Sequence, residues 1–217
     1  MTGSPTPTRG RGRPPRGESV ASDDTVLAAA LHAFATHGYE AVSLRSLAGE
    51  LGVSHNLLSQ RYGSKARLWY ACADWGFGGI LGKLNPIVDS AVSDTQRLRD
   101  FLYTFALFSA YNPDLTGLVN AESSTSSERL DYLCANYIRP TVARFAPLYA
   151  RAVERNELRA VPVETLFYMI TSGTTAMYTS RALTEQIFGP ARLHPDRFEE
   201  NARAVADLLF DGLRPVP

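Results

Sequence analysis

Residues 43–62 (SLRSLAGELGVSHNLLSQRY) hold the pattern with the most specific chemistry in this chain. Leu47, Leu51, Val53 and Leu58 are spaced to fill a wedge between two short helices, and Ala48 is small enough to let the second helix approach the first. Gly52 supplies the turn between them, where a positive φ is expected. His55, Asn56, Ser59 and Gln60 are then left on the outer side of the second helix. Short polar side chains of this kind fit base edges and phosphates in a DNA groove. Lys65 follows in the first turn of the next helix, where free backbone N–H groups and the helix dipole favour a phosphate. A helical hairpin with a merely solvated outer face would share part of this pattern. A capping helix before the pair, and a basic arm before that helix, favour DNA.

The arm is residues 1–21, rich in Pro, Gly, Ser, Thr and Arg, and its composition predicts a flexible segment. Arg9, Arg11, Arg13 and Arg16 face Glu18 alone among residues 1–20, although the chain as a whole balances 22 Lys+Arg against 22 Asp+Glu. Arg11-Gly12-Arg13-Pro14 resembles the core of an AT-hook. Glycine and proline keep such a strand thin, so its arginines reach into the negative potential of a narrow minor groove. Arg9, Arg11 and Arg13 are therefore expected DNA contacts. A solvated tail is the alternative.

The elements that must position these residues read as helices throughout. In 217 residues, 45% are hydrophobic and 20% charged, enough to bury a sizeable core. Ser22 is placed to cap a first helix, with Asp23 and Asp24 in its first turn, Leu27, Ala30, Leu31 and Phe34 on its apolar face, and Gly38 as a stop. Ser43, Ser54 and Ser64 are placed to cap the next three. The fourth helix runs into Gly76, Gly78, Gly79 and Gly82, which predict a bend or weak end, and Asn85-Pro86 reads as the cap and first residue of a new helix. Further helical segments are expected from Asp94 to a break at Asn112-Pro113-Asp114, from Ser126 or Ser127 to about Asn156 with interruptions at Pro140 and Pro147, over 163–183, and over 196–213. Strand alternation and hairpin turns are lacking in the sequence. The expected fold is all-α, divided into the arm (1–21), a three-helix helix–turn–helix domain (22–70) and a helical bundle (71–217).

With these motifs in view, the stretch GYEAVSLRSLAGELGVSHNLLSQRYGSKARL resembles the DNA-binding region of tetracycline-repressor (TetR) type regulators. Gly38-Tyr39, Ser43, Leu47-Ala48, Gly52-Val53-Ser54, Leu58, Tyr62, Ser64-Lys65 and Leu68 carry the resemblance, over about residues 22–70. The family's usual tyrosine after Leu58 is Ser59 here, Arg61 stands where histidine or tyrosine is usual, Ala66 replaces an acidic residue, and Leu57 occupies a position commonly small or polar. Arg61 offers a replacement phosphate contact. The resemblance extends the expected DNA-contacting set to Ser43, Arg45, Ser54, His55, Asn56, Leu57, Ser59, Gln60, Arg61, Tyr62 and Lys65. It implies a homodimeric regulator, a repressor, that reads a palindromic operator and is released by a small-molecule effector. The family's last two helices form a four-helix dimer interface. The stripes Leu166, Met169, Ile170, Gly173 and Met177, and Phe198, Ala202, Val205, Ala206, Leu209 and Phe210, suit that role or a shared internal core.

Aromatic residues crowd the bundle, and the expected effector pocket is a mostly apolar cavity with a few hydroxyls. Phe105, Phe108, Tyr137, Phe145, Tyr149 and Tyr178 are its expected lining, and an apolar or aromatic small molecule its expected ligand. No metal, cofactor or catalytic residue is expected. His32, His37, His55 and His194 lack metal-ligand spacing, and Gly76-Phe77-Gly78-Gly79 has no preceding strand to make it a dinucleotide loop. Cys72 and Cys134 read as reduced, buried thiols. No apolar run is long enough to span a membrane and no secretory signal is apparent, so a cytoplasmic protein is expected. The alternatives are a DNA-binding protein without an inducer, constitutive or architectural, and a helical partner-binding protein that does not bind DNA.

Overall fold

A computed structural model describes residues 22–215, and among these every regular element is helical. Local chemistry sets the helix starts. Ser22 Oγ accepts the Thr25 N–H at 3.2 Å and opens α1 (Asp23–Ala41). Gly38, at φ 77° and ψ 164°, breaks that helix one turn before its end, so Tyr39 leaves in a new direction. Ser43 and Ser46 cap each other's backbone N–H groups to start α2 (Leu44–Leu51). Gly52, left-handed at φ 65°, ends it. Ser54 starts α3 (His55–Tyr62), and Ser64 starts α4 (Lys65–Val88). Leu47, Ala48 and Leu58 fill the wedge between α2 and α3, packed with Phe34, Leu68 and Trp69 in one core.

Beyond the helix–turn–helix the structure departs from the expected segmentation. Asn85 and Pro86 do not open a helix; they lie inside α4, which passes through all four glycines without interruption. The cause is tertiary. Leu68, Cys72, Ile80 and Leu84 are all buried along one side of α4, and packing of such a face outweighs the local cost of glycine and proline. Gly76 is required by contact, since a Cβ there would sit 2.8 Å from Leu115 Cδ1. The expected domain boundary at residue 70 falls within this helix.

Ser93 caps α5 (Asp94–Tyr111), and Asn112-Pro113 ends it as expected. Pro113 is also the first residue of an unanticipated helix, α6 (Pro113–Ser123). Ser127 caps α7 (Glu128–Leu133), which passes through a π-helical turn (Cys134–Ile138) into α8 (Arg139–Glu154). The apolar segment expected over 163–183 is split into α9 (Val163–Thr179) and α10 (Arg181–Phe188). There Thr184 Oγ1 donates to the Met177 carbonyl at 2.8 Å, satisfying an acceptor in the last turn of α9. Two short 3₁₀ turns lead to α11 (Phe198–Gly212).

Helix α5 lies at the centre of the bundle, packed by α4, α8, α9 and α11. Its first residue, Asp94, is buried, and Arg151 of α8 donates to its carboxylate at 2.8 and 2.9 Å, with Arg97 and Arg155 each at 3.4 Å. Those bonds from Arg151 hold the Asp94 carboxyl below the usual carboxylate range. Helix α6 joins the two halves of the molecule, packing on α1, α4 and α9. The approach to α1 is close: a Cβ on Gly117 would meet Ala35 Cβ at 3.1 Å. Cys72 is buried, which pushes its thiol up to about 12, whereas Cys134 is only half-buried.

Candidate functional site

Helix α3 presents two sides. Leu58 is fully buried and anchors the helix on α2, while Ser54, His55, Asn56 and Gln60 are exposed. Ser59 and Leu57 are half-buried, and the Ser59 hydroxyl lies 3.5 Å from His55 Nε2. Ser43 and Arg45 are exposed at the start of α2. Ser43, however, has its hydroxyl committed to the capping box. A rigid short helix with a fully buried anchor and a row of exposed polar side chains has the form that enters a major groove.

The cations expected to contact DNA are held in place by their neighbours. Arg61 Nη1 lies 3.2 Å from Asp23 Oδ1, and the Tyr62 hydroxyl donates to the same oxygen at 3.0 Å. Burial, reinforced by that bond, pushes the Tyr62 phenol up to about 12. Both residues are thus tied to the first turn of α1. Lys65 Nζ donates to the Tyr39 carbonyl at 3.0 Å and the Glu40 carbonyl at 3.4 Å, and sits 4.2 Å from the centre of the Tyr39 ring. The Arg129 guanidinium packs 3.8 Å from that ring, while its Nε donates to buried Glu122 at 2.8 Å. The aromatic ring that follows Gly38 therefore links the helix–turn–helix to α6 and α7. Arg9, Arg11 and Arg13 lie outside the described residues.

A cavity of about 160 Å³ opens between α4, α5 and α8. Leu81, Leu84, Val88, Phe101 and Pro140 form its apolar wall. Asn85, Thr141 and Arg144 are its polar groups. None of the six aromatics singled out from sequence is among these lining residues. Phe145 stacks at a tilt on Phe101, with centroids 4.8 Å apart, and so backs the wall from behind. Phe105 also stacks on Phe101, and Phe108 lies beside Gly79, where a Cβ would sit 3.6 Å from its ring. Tyr149 is a strut: its hydroxyl donates to the Arg159 carbonyl and accepts from the Val161 N–H, each at 2.8 Å. Tyr178 packs edge-on against Phe198 in a separate small cluster with Ala110 and Leu193.

Tyr137 has a different task. It and Tyr132 both donate to Asp74 Oδ1 on α4, at 2.5 and 2.7 Å, and Tyr137 stacks on Phe77 at 4.4 Å. Residues five apart in an α-helix diverge by about 140°. The π-turn between the two tyrosines is what turns both toward one carboxylate. Burial, and then the bond to Asp74, raises the Tyr137 phenol well above its ordinary range. The sequence carried no local signal for the π-turn or for the cavity.

Among the described residues no cluster of His, Cys, Asp and Glu could hold a metal ion, and no helix is long and apolar enough to cross a membrane. The geometry defines a class: a helix–turn–helix reader of DNA, joined through a continuous α4 and a packed α6 to a helical bundle containing a cavity. Comparison with known proteins places it more closely. Residues 26–72 match the family described as "Bacterial regulatory proteins, tetR family", and residues 95–209 match "Tetracyclin repressor-like, C-terminal domain". The chain belongs to the TetR family of DNA-binding transcriptional regulators.

Among curated proteins it is similar to the nucleoid occlusion factor SlmA of Shewanella woodyi, 27% identical over 88 residues. That match covers 41% of this chain and 45% of the relative, so the chain spans less than half the length of that protein. Among solved structures, the TetR family regulator PfmR from Thermus thermophilus superposes with a TM-score of 0.68 at 24% identity, covering 90% of this chain and 99% of the other. AibR, solved in complex with isovaleryl coenzyme A and operator DNA, gives 0.68 at 16% identity, covering 86% and 97%. These likenesses establish the fold.

Proposed function

We propose that the protein is a ligand-responsive repressor that binds a palindromic operator as a homodimer and is released by a small effector in the α4/α5/α8 cavity. The carrying observation is the exposed row His55, Asn56 and Gln60 on a helix anchored by buried Leu58. One such helix reads few base pairs, and two related by a dyad read a palindrome. Asn56 and Gln60 suit base edges. Ser43, Arg45, Ser54, Arg61, Tyr62 and Lys65 surround them as backbone contacts, with Leu57 and Ser59 at the rim. Arg9, Arg11 and Arg13 would extend the contact into the adjacent minor groove.

The dimer face proposed is the outer side of α9 and α11. Tyr168, Met169 and Gly173 are exposed on α9, and Leu208 is 75% exposed on α11. Leu183, Ile187 and Phe188 on α10 extend the apolar surface. Much of both apolar stripes noted in the sequence instead faces the chain's own interior: Leu166, Ile170, Phe198, Ala202 and Ala206 are buried. For release, the cavity lines the second half of α4, where Gly82 meets no neighbour and Pro86 has no N–H to offer the Gly82 carbonyl. An effector there would shift the helix that carries the recognition unit. AibR, solved with both an acyl coenzyme A and operator DNA, is a precedent for one fold holding both.

The test is a gel shift of the purified protein on DNA from immediately upstream of its own coding region. A specific, competitor-resistant complex is expected, and indifference to every duplex at modest salt would refute the reading. A constitutive DNA-binding factor is the second reading, favoured by the likeness to nucleoid occlusion factors over 88 residues. It predicts that no small molecule loosens the complex. We place the protein in the cytoplasm, with DNA, and assign it no enzymatic role.

A further inference from the structure

The cavity's own chemistry limits what can occupy it. At about 160 Å³ it holds the equivalent of roughly five waters at ~30 Å³ each, and it is smaller than the ~300–1,000 Å³ typical of pockets for drug-sized ligands. A compact molecule of about five to eight carbons fits, with its polar end at the mouth. The inner wall, with Leu84 and Phe101 nearly fully buried, offers only apolar contact.

The polar end offers donors. Arg144 is the one charged residue of the lining, and it is a cation. The Asn85 side-chain amide makes no hydrogen bond among the described residues, so both its N–H groups stand ready. The Thr141 hydroxyl already donates to the Tyr137 carbonyl at 2.7 Å. Arg144 is paired with Asp89 at 2.6 Å, but the two side chains are 42% and 68% exposed. An ion pair this open to water is weak, and Arg144 can exchange Asp89 for a carboxylate that approaches from the cavity. A cationic ligand would meet the charge of Arg144 instead, and a ligand without an acceptor would leave it and Asn85 unused.

From this we infer that the cavity takes a short monocarboxylate, aliphatic or aryl. Its tail lies against Leu84 and Phe101, and its carboxylate accepts from Arg144 and Asn85. The inference rests on the effector reading above and specifies the class of effector.

It is tested on the full-length protein by calorimetric titration and thermal shift with hexanoate, hexan-1-ol and hexylamine. Hexanoate should bind at least about tenfold more tightly than the other two, the size of effect expected for charge-assisted bonds. Arg144→Gln, at an exposed site that leaves the fold intact by circular dichroism, should abolish that preference by weakening hexanoate about tenfold or more and hexan-1-ol much less. Arg144→Lys should restore part of it, and Asp89→Asn, which removes the competing carboxylate, should tighten hexanoate severalfold. Equal binding of acid and alcohol, a preference that survives Arg144→Gln, or binding of none of the three overturns the inference. Adding hexanoate to the complex with upstream DNA separates the two readings. Tight hexanoate binding without DNA release keeps the ligand class and removes the release mechanism. Release by some other compound, with hexanoate inert, does the reverse.

Discussion

Asn56 and Gln60 are exposed on α3 while Leu58 between them is fully buried, so truncating either polar side chain should affect DNA binding and not folding. Asn56→Ala and Gln60→Ala are each expected to weaken operator binding by about 1–3 kcal/mol, roughly five- to 150-fold, with no change in Tm. Fluorescence anisotropy beside a thermal melt checks both. Arg61 and Tyr62 differ, because Asp23 holds both; removing Asp23 should loosen the contacts they make without touching DNA itself. Asp94 makes the complementary case in the bundle. Its ionised carboxylate is favoured in the folded state by Arg151, so its folded pKa lies below the unfolded value. The stability it contributes is complete above ~3.9 and is lost as pH falls through the lower folded value. Asp94→Asn should cost on the order of 1–2 kcal/mol at neutral pH, because the arginines lose a charged acceptor while Arg151 and Arg155 stay 42% and 54% exposed to water. Urea unfolding should show the gap between wild type and variant closing below about pH 4.

Helix α4 is the element on which both halves of the molecule depend, and its glycines are not equivalent. A methyl group at Gly82 meets nothing within 4 Å, whereas one at Gly76 would press on Leu115 Cδ1 at 2.8 Å. Gly82→Ala is therefore expected to stabilise the protein by about 0.5–1 kcal/mol through helix propensity and to stiffen the half of α4 beside the cavity. Gly76→Ala is expected to destabilise it by about 1–2 kcal/mol through crowding at α6. Thermal melts of the two variants should move in opposite directions; a common direction would show that contact with α6 does not govern the site. The π-turn before α8 belongs to the same scale. It aims Tyr132 and Tyr137 at Asp74 of α4, so Tyr137→Phe should leave the bundle folded but increase amide exchange along α4.

For the whole molecule, seven of the large hydrophobic residues left exposed fall between Val163 and Leu208, on α9, α10 and α11. The homodimer proposed above would cover this surface with the two-fold symmetry that a palindromic operator requires. Met169→Glu combined with Leu208→Glu should yield a monomer by sedimentation, with intact helix content and strongly weakened operator binding. The basic arm belongs here too, because it gathers Arg9, Arg11, Arg13 and Arg16 against Glu18 alone at one end of a chain whose net charge is zero. Deleting residues 1–17 should weaken binding and flatten its salt dependence, each lost phosphate contact lowering the slope by about 0.9.

Local chemistry was enough to read the DNA-binding end. Ser22, Ser43, Ser54 and Ser64 each cap the helix they were expected to cap, and Gly52 takes the positive φ the turn requires. Capping and turn formation involve groups within three or four residues of one another, so the sequence alone determines them. The helical class followed from periodicity for the same reason. Other features required the assembled bundle. The continuity of α4 through four glycines and Pro86 depends on a buried face contributed by other helices. The position of the cavity depends on residues near 81–88, 101 and 140–144 meeting in space, with Phe145 behind its wall and Tyr149 bracing residues 159–161. Which face of α9 and α11 turns outward was likewise settled by what α5 covers. A cap is a property of a segment, whereas a void or a free surface is what remains after every segment has packed.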